Sequence, residues 1–225
     1  MEKTSTTKRK PKTTKRNIRE EVINGYIDYV LMHGEEPASI YAFCKHLKIE
    51  EHQFYANFND FGQIGEHFWL ELFNEVKNSL HVDPDFVEFS VREKCLSLYY
   101  AFFEKLKSQR SFAIMSFKES IGSFKRENRQ LSAMKKAYKE WVKQMVSEGL
   151  TKGEVAGRSK LTSTYDDLFW IQFLFLMNFW KNDRSKDFEK TDAAIEKTVH
   201  LSFDLIEKNA LDSALDFGKF IFQNR

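Results

Sequence analysis

Cysteine, proline and glycine are all scarce in this chain of 225 residues, and each shortage excludes something. The two cysteines, Cys44 and Cys95, both fall at apolar-periodic positions and make neither a disulfide framework nor a metal site. They read as buried free thiols of a reducing compartment, so a cytoplasmic protein is expected. Three prolines and nine glycines are too few for a sheet of short strands cut by turns, and an all-α protein is expected instead. The N-terminus has no apolar stretch of the signal-peptide kind. The most apolar run, Leu168 to Trp180, is too short to span a bilayer. Paired carboxylates in a recognisable frame, a Gly-rich phosphate loop and a nucleophile elbow are missing as well. His46 and His52 flank a turn and do not share one helix face, which is not a metal-ligand spacing. Neither catalysis, nor a resident cofactor, nor a metal is expected.

What the chain does have is apolar bulk and zoned charge. Hydrophobic residues make up 42% of it, including 22 phenylalanines, enough for a sizeable core. The net charge of +2 conceals strong local imbalance: +6 over residues 1–16, −7 over 17–81, −3 over 82–91, +9 over 92–160 and −3 over 161–225. Residues 1–16, "MEKTSTTKRKPKTTKR", have no apolar anchor and read as a disordered basic arm.

From Asn17 onward the apolar residues recur at helical spacing. Ile18, Val22, Ile23, Tyr26, Ile27, Val30 and Leu31 define a first helix stopped at His33–Gly34. Ser39 is the N-cap of a second helix with Ile40, Phe43, Cys44 and Leu47 on one face, and Ile49 marks a turn. A third helix follows with Phe54, Tyr55 and Phe58 inward. Asp60, with Gln63 three residues on, starts a fourth carrying Ile64, Phe68, Trp69, Leu72, Phe73, Val76 and Leu80. "SVRE", from Ser90 to Glu93, is a capping box for a fifth helix, with Cys95, Leu98, Tyr99, Phe102, Phe103 and Leu106 behind it. A short sixth helix spans Phe112 to Phe117, and a long seventh carries Leu131, Met134, Tyr138, Trp141, Val142 and Met145. Gly149, Gly153 and Gly157 punctuate a polar stretch that reads as a loop before Ser163 or Thr164 caps helix eight. That helix is apolar almost all round, which demands burial in a core or across a subunit interface. Ile195, Val199, Phe203 and Ile206 line a ninth helix with Leu201 and Leu205 beside them, and "LDSALDFGKFIF" reads as a short tenth.

A helix closed by glycine, a helix-turn-helix, a fourth helix just after an aromatic pair and then five or six more helices resemble the TetR family of bacterial regulators. The specific likeness covers residues 18–76. Phe43 and Cys44 stand at the family's Ile-Ala positions, Ile49 at its turn valine and "FYANF" at its Leu-Tyr-x-x-Phe. Three residues depart from the pattern. Lys48 replaces the turn glycine, Glu50 the small hydroxyl residue that begins the recognition helix, and Phe61 a phosphate-contacting lysine.

The resemblance implies a three-helix DNA-binding-type domain over residues 17–81, joined by its fourth helix to a larger helical domain over 82–225. The larger domain would enclose a small apolar ligand and form a homodimer through helices near 163–182 and 190–209. On double-stranded DNA, Ser39 and Tyr55 would bond phosphates, with Glu51, His52, Gln53 and Asn57 near base edges, where Gln and Asn suit adenine and Glu suits cytosine. Because residues 17–81 carry −7, neutralising phosphates falls to the arm and its Lys8, Arg9, Lys10, Lys12, Lys15 and Arg16. Phe102, Phe103, Trp141, Phe169, Phe173 and Phe175 would line the ligand site. Plainer readings of the same residues remain open: Tyr55 as core, His52 as solvated, Glu50 and Glu51 as favourable charges at a helix N-terminus, the arm as a solubilising tail and the aromatics as packing. The function expected is that of a ligand-responsive DNA-binding regulator. The alternative is a TetR-fold lipid- or partner-binding module that has lost DNA binding. In that case the basic stretch Arg92 to Lys160 would face an anionic membrane or an acidic partner.

Overall fold

Helix ends in this chain are set by side chains that satisfy otherwise orphaned backbone groups. The computed structural model describes residues 17–117, 129–157 and 165–206, and among these are nine α-helices, three short 3-10 turns and no strand. The basic arm, the Ser163/Thr164 cap and the tenth helix lie outside the described residues. No helix among the described residues is long and apolar enough to cross a membrane.

Two compact units emerge, Met1–Phe61 and Gly62–Arg225. In the first, Asn17 caps α1 (Ile18–His33) and Gly34 ends it at φ +78°, a left-handed conformation that costs glycine nothing. Ser39 Oγ accepts the Ala42 N–H at 3.1 Å and starts α2 (Ile40–Leu47), as its sequence position predicts. α3 (Glu51–Tyr55) follows the turn at Lys48–Ile49. Val22, Tyr26, Phe43, Cys44, Phe54 and Phe58 bury themselves between these helices. Tyr55 departs from the inward assignment: it is 49% exposed, because Phe54 and Phe58 already occupy the inward side.

α4 (Phe61–Val82) begins directly after Asp60. The 17–81 domain boundary put this helix with the first three, whereas the compact units divide at Phe61/Gly62. The reason is aromatic contact. Within the second unit Phe68 meets Phe112 at 4.8 Å, Trp69 meets Phe117 at 6.4 Å and Phe73 meets Tyr138 at 6.0 Å, all edge-on. Ser90 and Glu93 close the capping box of α5 (Val91–Lys107), the Ser90 N–H donating to Glu93 Oε2 at 2.8 Å and the Glu93 N–H to Ser90 Oγ at 3.3 Å. α6 (Arg110–Ser116), α7 (Ser132–Lys152), α8 (Tyr165–Asn182) and α9 (Glu189–Ile206) complete the unit. α7 packs on α8, α5 on both α9 and α7, and α8 on α9.

The expected loop from Gly149 is corrected, because α7 runs on through Gly149 and ends at Gly153, φ +78°. Gly149 is a contact, not a breaker: a Cβ there would stand 2.6 Å from Val155 Cγ2 and 3.0 Å from Val91 Cγ2. Val155 and Ala156 are accordingly buried, and the Ala156 N–H donates to the Ile206 carbonyl at 2.9 Å. α8 turns Phe169, Trp170, Phe173, Leu176 and Trp180 inward but leaves Leu168, Ile171 and Phe175 about half exposed.

The link from α8 to α9 is held from both sides. The Arg110 guanidinium lies over the rings of Trp180 (4.4 Å) and Phe188 (4.6 Å) and donates to the carbonyls of Trp180 and Lys181, each at 3.1 Å. Asp183 accepts the N–H and hydroxyl of Ser185 (2.8 and 2.7 Å) and of Thr191 (2.9 and 2.7 Å). Burial pushes the Asp183 carboxyl up, but these four bonds outweigh it and bring it down to about 2. A carboxyl depressed on folding contributes stability that is complete above its unfolded pKa of about 3.9 and is lost as pH falls through about 2. Asp183→Ala is expected to cost about 1–2 kcal/mol at pH 7. Chemical denaturation at pH 7 and pH 2.5 checks this: the difference between wild type and variant should shrink at the lower pH.

Candidate functional site

α3 has only five residues, too few to hold a helical conformation alone. Its inward anchor, Phe54, is fully buried, with Phe43 at 6.3 Å and Phe61 at 5.8 Å. Phe61, at the place of the family's lysine, stacks on Tyr26 at 5.3 Å and 17° and edges onto Phe43 at 5.4 Å. The departure at this position therefore exchanges a cation for a half-buried ring packed on Tyr26 and Phe43.

The ends of α3 are closed by two of the expected base-reading residues. Gln53 Oε1 accepts the Glu50 N–H at 2.9 Å, and Asn57 Nδ2 donates to the Gln53 carbonyl at 2.9 Å. Gln53 and Asn57 are both part-buried, so each keeps only part of its amide for anything outside. Glu51, His52 and Tyr55 point outward. Glu50 and Glu51 sit where a helix N-terminus favours negative charge, which accounts for the acidic start of this helix in local terms. Both carboxylates, after burial, push the neighbouring Cys44 thiol up. Ser39 is engaged as an N-cap acceptor, a bond that leaves its hydroxyl proton available to a further acceptor.

Three further residues of the first unit are exposed and lie outside the expected contact set. Tyr41 is 58% exposed on α2, and the Lys45 ammonium lies 5.4 Å from its ring centre. Arg19 rests 4.6 Å over the Phe58 ring and donates to the Asn57 carbonyl at 3.4 Å, tying the start of α1 to the end of α3. Tyr41 was visible as an aromatic residue off the Ile40–Phe43–Cys44–Leu47 stripe. Lys8, Arg9, Lys10 and Arg16 fall outside the described residues.

Most of the expected ligand-lining aromatics gather at one place in the second unit. Phe173 is 5.2 Å from Phe102, 6.5 Å from Phe103 and 5.3 Å from Tyr138, and Trp141 joins through Tyr138 at 6.4 Å. Within this apolar cluster, Tyr99 and Tyr138 bond hydroxyl to hydroxyl at 2.6 Å, and the Tyr138 hydroxyl donates to the Phe169 carbonyl at 3.1 Å. The Phe169 ring itself turns toward Phe203, 5.8 Å away. Burial is the largest cause that pushes both phenols and the Cys95 thiol upward; the neighbouring groups add to it at Tyr99, while the Tyr99 hydrogen bond works against it at Cys95, and the cluster is uncharged around neutral pH. Phe175 does not belong with the others: it is 50% exposed on the opposite side of α8, beside Phe179 at 6.2 Å. No group of His, Cys, Asp and Glu among the described residues could hold a metal ion.

The basic stretch from Arg92 to Lys160 is not a uniform positive face among the described residues. Arg92 pairs with Asp204 (3.2 Å), Lys105 with Glu75 (2.8 Å), Lys139 with Asp166 and Asp167 (3.1 and 2.7 Å), and Lys94 and Lys152 both with Glu148. Arg92, Lys105 and Lys139 thus meet acids of the acidic zones, whereas Lys94 and Lys152 meet an acid of the basic stretch itself.

Residues 94–221, more than half of the chain, match the family described as tetracyclin repressor-like, C-terminal domain. Solved structures share the fold. A protein assigned to the TetR family of transcriptional regulators from Syntrophomonas wolfei is 15% identical, with 84% of this chain and 94% of that one covered and a TM-score of 0.64. The fatty acid degradation regulator FadR from Bacillus halodurans is 16% identical, with 85% and 97% covered and a TM-score of 0.59. No curated protein sequence matches significantly. With an all-helical fold, a helix-turn-helix in its first unit and a C-terminal domain of this description, the chain belongs to the TetR family of transcription regulators.

Proposed function

We propose that the protein is a ligand-responsive transcriptional regulator that binds double-stranded DNA as a homodimer. The observation that carries the reading is α3. A five-residue helix is clamped by Phe54 and by its own end bonds while Glu51, His52 and Tyr55 face outward, as a recognition element requires. Residues 17–61 contain only Arg19, Lys45 and Lys48 as Lys or Arg, so most phosphate neutralisation falls to Lys8, Arg9, Lys10 and Arg16 of the arm.

The half-exposed Leu168, Ile171 and Phe175 of α8 and Leu201 and Leu205 of α9 support a dimer through the helices near 163–182 and 190–209. The Tyr99–Tyr138 cluster supports a small, uncharged, largely apolar ligand. Any charge brought there would be desolvated without a counter-charge. Ligand would act by favouring a spacing of the two recognition helices that no longer fits successive major grooves, about 34–36 Å apart. The two buried free thiols agree with a cytoplasmic setting.

Selection from a random duplex library at about 0.15 M salt, with the full chain and with a version beginning at Asn17, tests DNA binding. A pseudo-palindromic site is expected, with at least about tenfold weaker binding and a shallower salt dependence for the shorter version. No enrichment by either would overturn the reading in favour of a lipid- or partner-binding module, and native mass spectrometry of the full chain would then identify what it holds. Phe175→Glu combined with Leu201→Glu is expected to convert the dimer to a folded monomer in light scattering with circular dichroism. An unchanged dimer would remove these two helices from the interface.

A further inference from the structure

α2 ends in an unusual way. The Ile49 N–H reaches back to the Cys44 carbonyl at 3.0 Å and the Lys48 N–H to the Lys45 carbonyl at 3.3 Å, the paired bonds that close a helix through one left-handed residue. That residue is Lys48, at φ 55° and ψ 44°. Glycine occupies the equivalent place at the ends of α1 (Gly34) and α7 (Gly153), where φ is +78°. A lysine there crowds its Cβ against the backbone, a cost glycine avoids. Residues kept in such conformations against their preference concentrate at functional positions.

What glycine would lack is the charge. Between Glu20 and Phe61, Lys45 and Lys48 are the only Lys or Arg, one helical turn apart at the α2 terminus. Lys48 is exposed and forms no ion pair among the described residues, although Glu50 and Glu51 follow closely in sequence. The helix dipole does not explain it, since Lys45 already places a cation in the last turn. The turn leads directly into α3: Lys48 is exposed and stands two and three residues before Glu50 and Glu51, whose charges at the start of α3 would by themselves repel a phosphate backbone.

We infer that Lys48 is a phosphate-contacting residue of the DNA interface, a cation carried at the turn at the expense of backbone ease. The inference rests on the DNA-binding reading above. Lys48→Gly, Lys48→Asn and Lys48→Arg are made in the full chain, and melting temperature and affinity for the selected duplex are measured at several salt concentrations. Lys48→Gly is expected to raise the melting temperature by about 2–4 °C by removing the strain. The same variant should weaken DNA binding about tenfold, equally on all site variants, and should lower the log–log salt slope by about 0.9 per protomer. Lys48→Asn, which tolerates the left-handed conformation, should lose affinity in the same way, and Lys48→Arg should keep it. Wild-type affinity and slope in Lys48→Gly would overturn the inference and leave the DNA reading intact. A fall in melting temperature would overturn the strain argument and assign Lys48 to the helix end. If the wild type selects no duplex, both readings fall.

Discussion

A pair of tyrosine hydroxyls that water cannot reach governs the larger unit. Tyr99 on α5 and Tyr138 on α7 lie inside a wall of phenylalanine and tryptophan rings, where an unpaired hydroxyl would cost on the order of 1–3 kcal/mol. They satisfy one another and then the Phe169 carbonyl on α8. The geometry of those two bonds ties three helices to one register, which apolar packing alone would leave looser, because rings slide over one another more easily than hydrogen bonds can be displaced. The surrounding aromatics inherit their positions: Phe173 sits against Tyr138 and Phe102 because α8 is fixed at Phe169. The same bonds make the centre of the unit polar but neutral, and this limits what it could accept.

The smaller unit meets a different difficulty, which is to present a very short helix rigidly. α3 gains little from its own backbone bonds, so Phe43, Phe54 and Phe61 grip it from inside while Gln53 and Asn57 finish its ends. The departures from the family pattern fall into place within this unit. Phe61 became part of the grip, Glu50 opens a helix whose N-terminus favours its charge, and Lys48 carries a cation on the turn at a position where glycine is easier. An acidic α3 is thus built from locally favourable choices, and under the proposed DNA-binding function the cations would have to come from outside it.

Helix order, the Ser39 and Ser90 starts, the Gly34 stop and the inward aromatic stripes were legible in the chain, because capping and 3.6-residue periodicity act over a few neighbouring residues. Gly149 was misread for the opposite reason. Its role is to admit Val155 and Val91, partners that local sequence does not announce, so a glycine marking a close approach looked like one marking a loop. Among the proposed ligand-site residues, Phe102, Phe103 and Phe173 converge whereas Phe175 faces away, although Phe173 and Phe175 are equally apolar and only two residues apart. An almost wholly apolar helix offers no polar side from which its orientation could be read.

By itself, then, the sequence determined the all-helical class, the helix-turn-helix and most helix ends, since these follow from local propensity, capping and apolar spacing. Tertiary structure alone decided which charges are free and which polar groups meet. Among the described residues, cations of the +9 stretch meet acids far off in sequence, as Lys139 meets Asp166 and Asp167, and Tyr99 found Tyr138 thirty-nine positions away. Electrostatic and hydrogen-bond partners are chosen by proximity in space, and a linear count of charges or hydroxyls carries no distances.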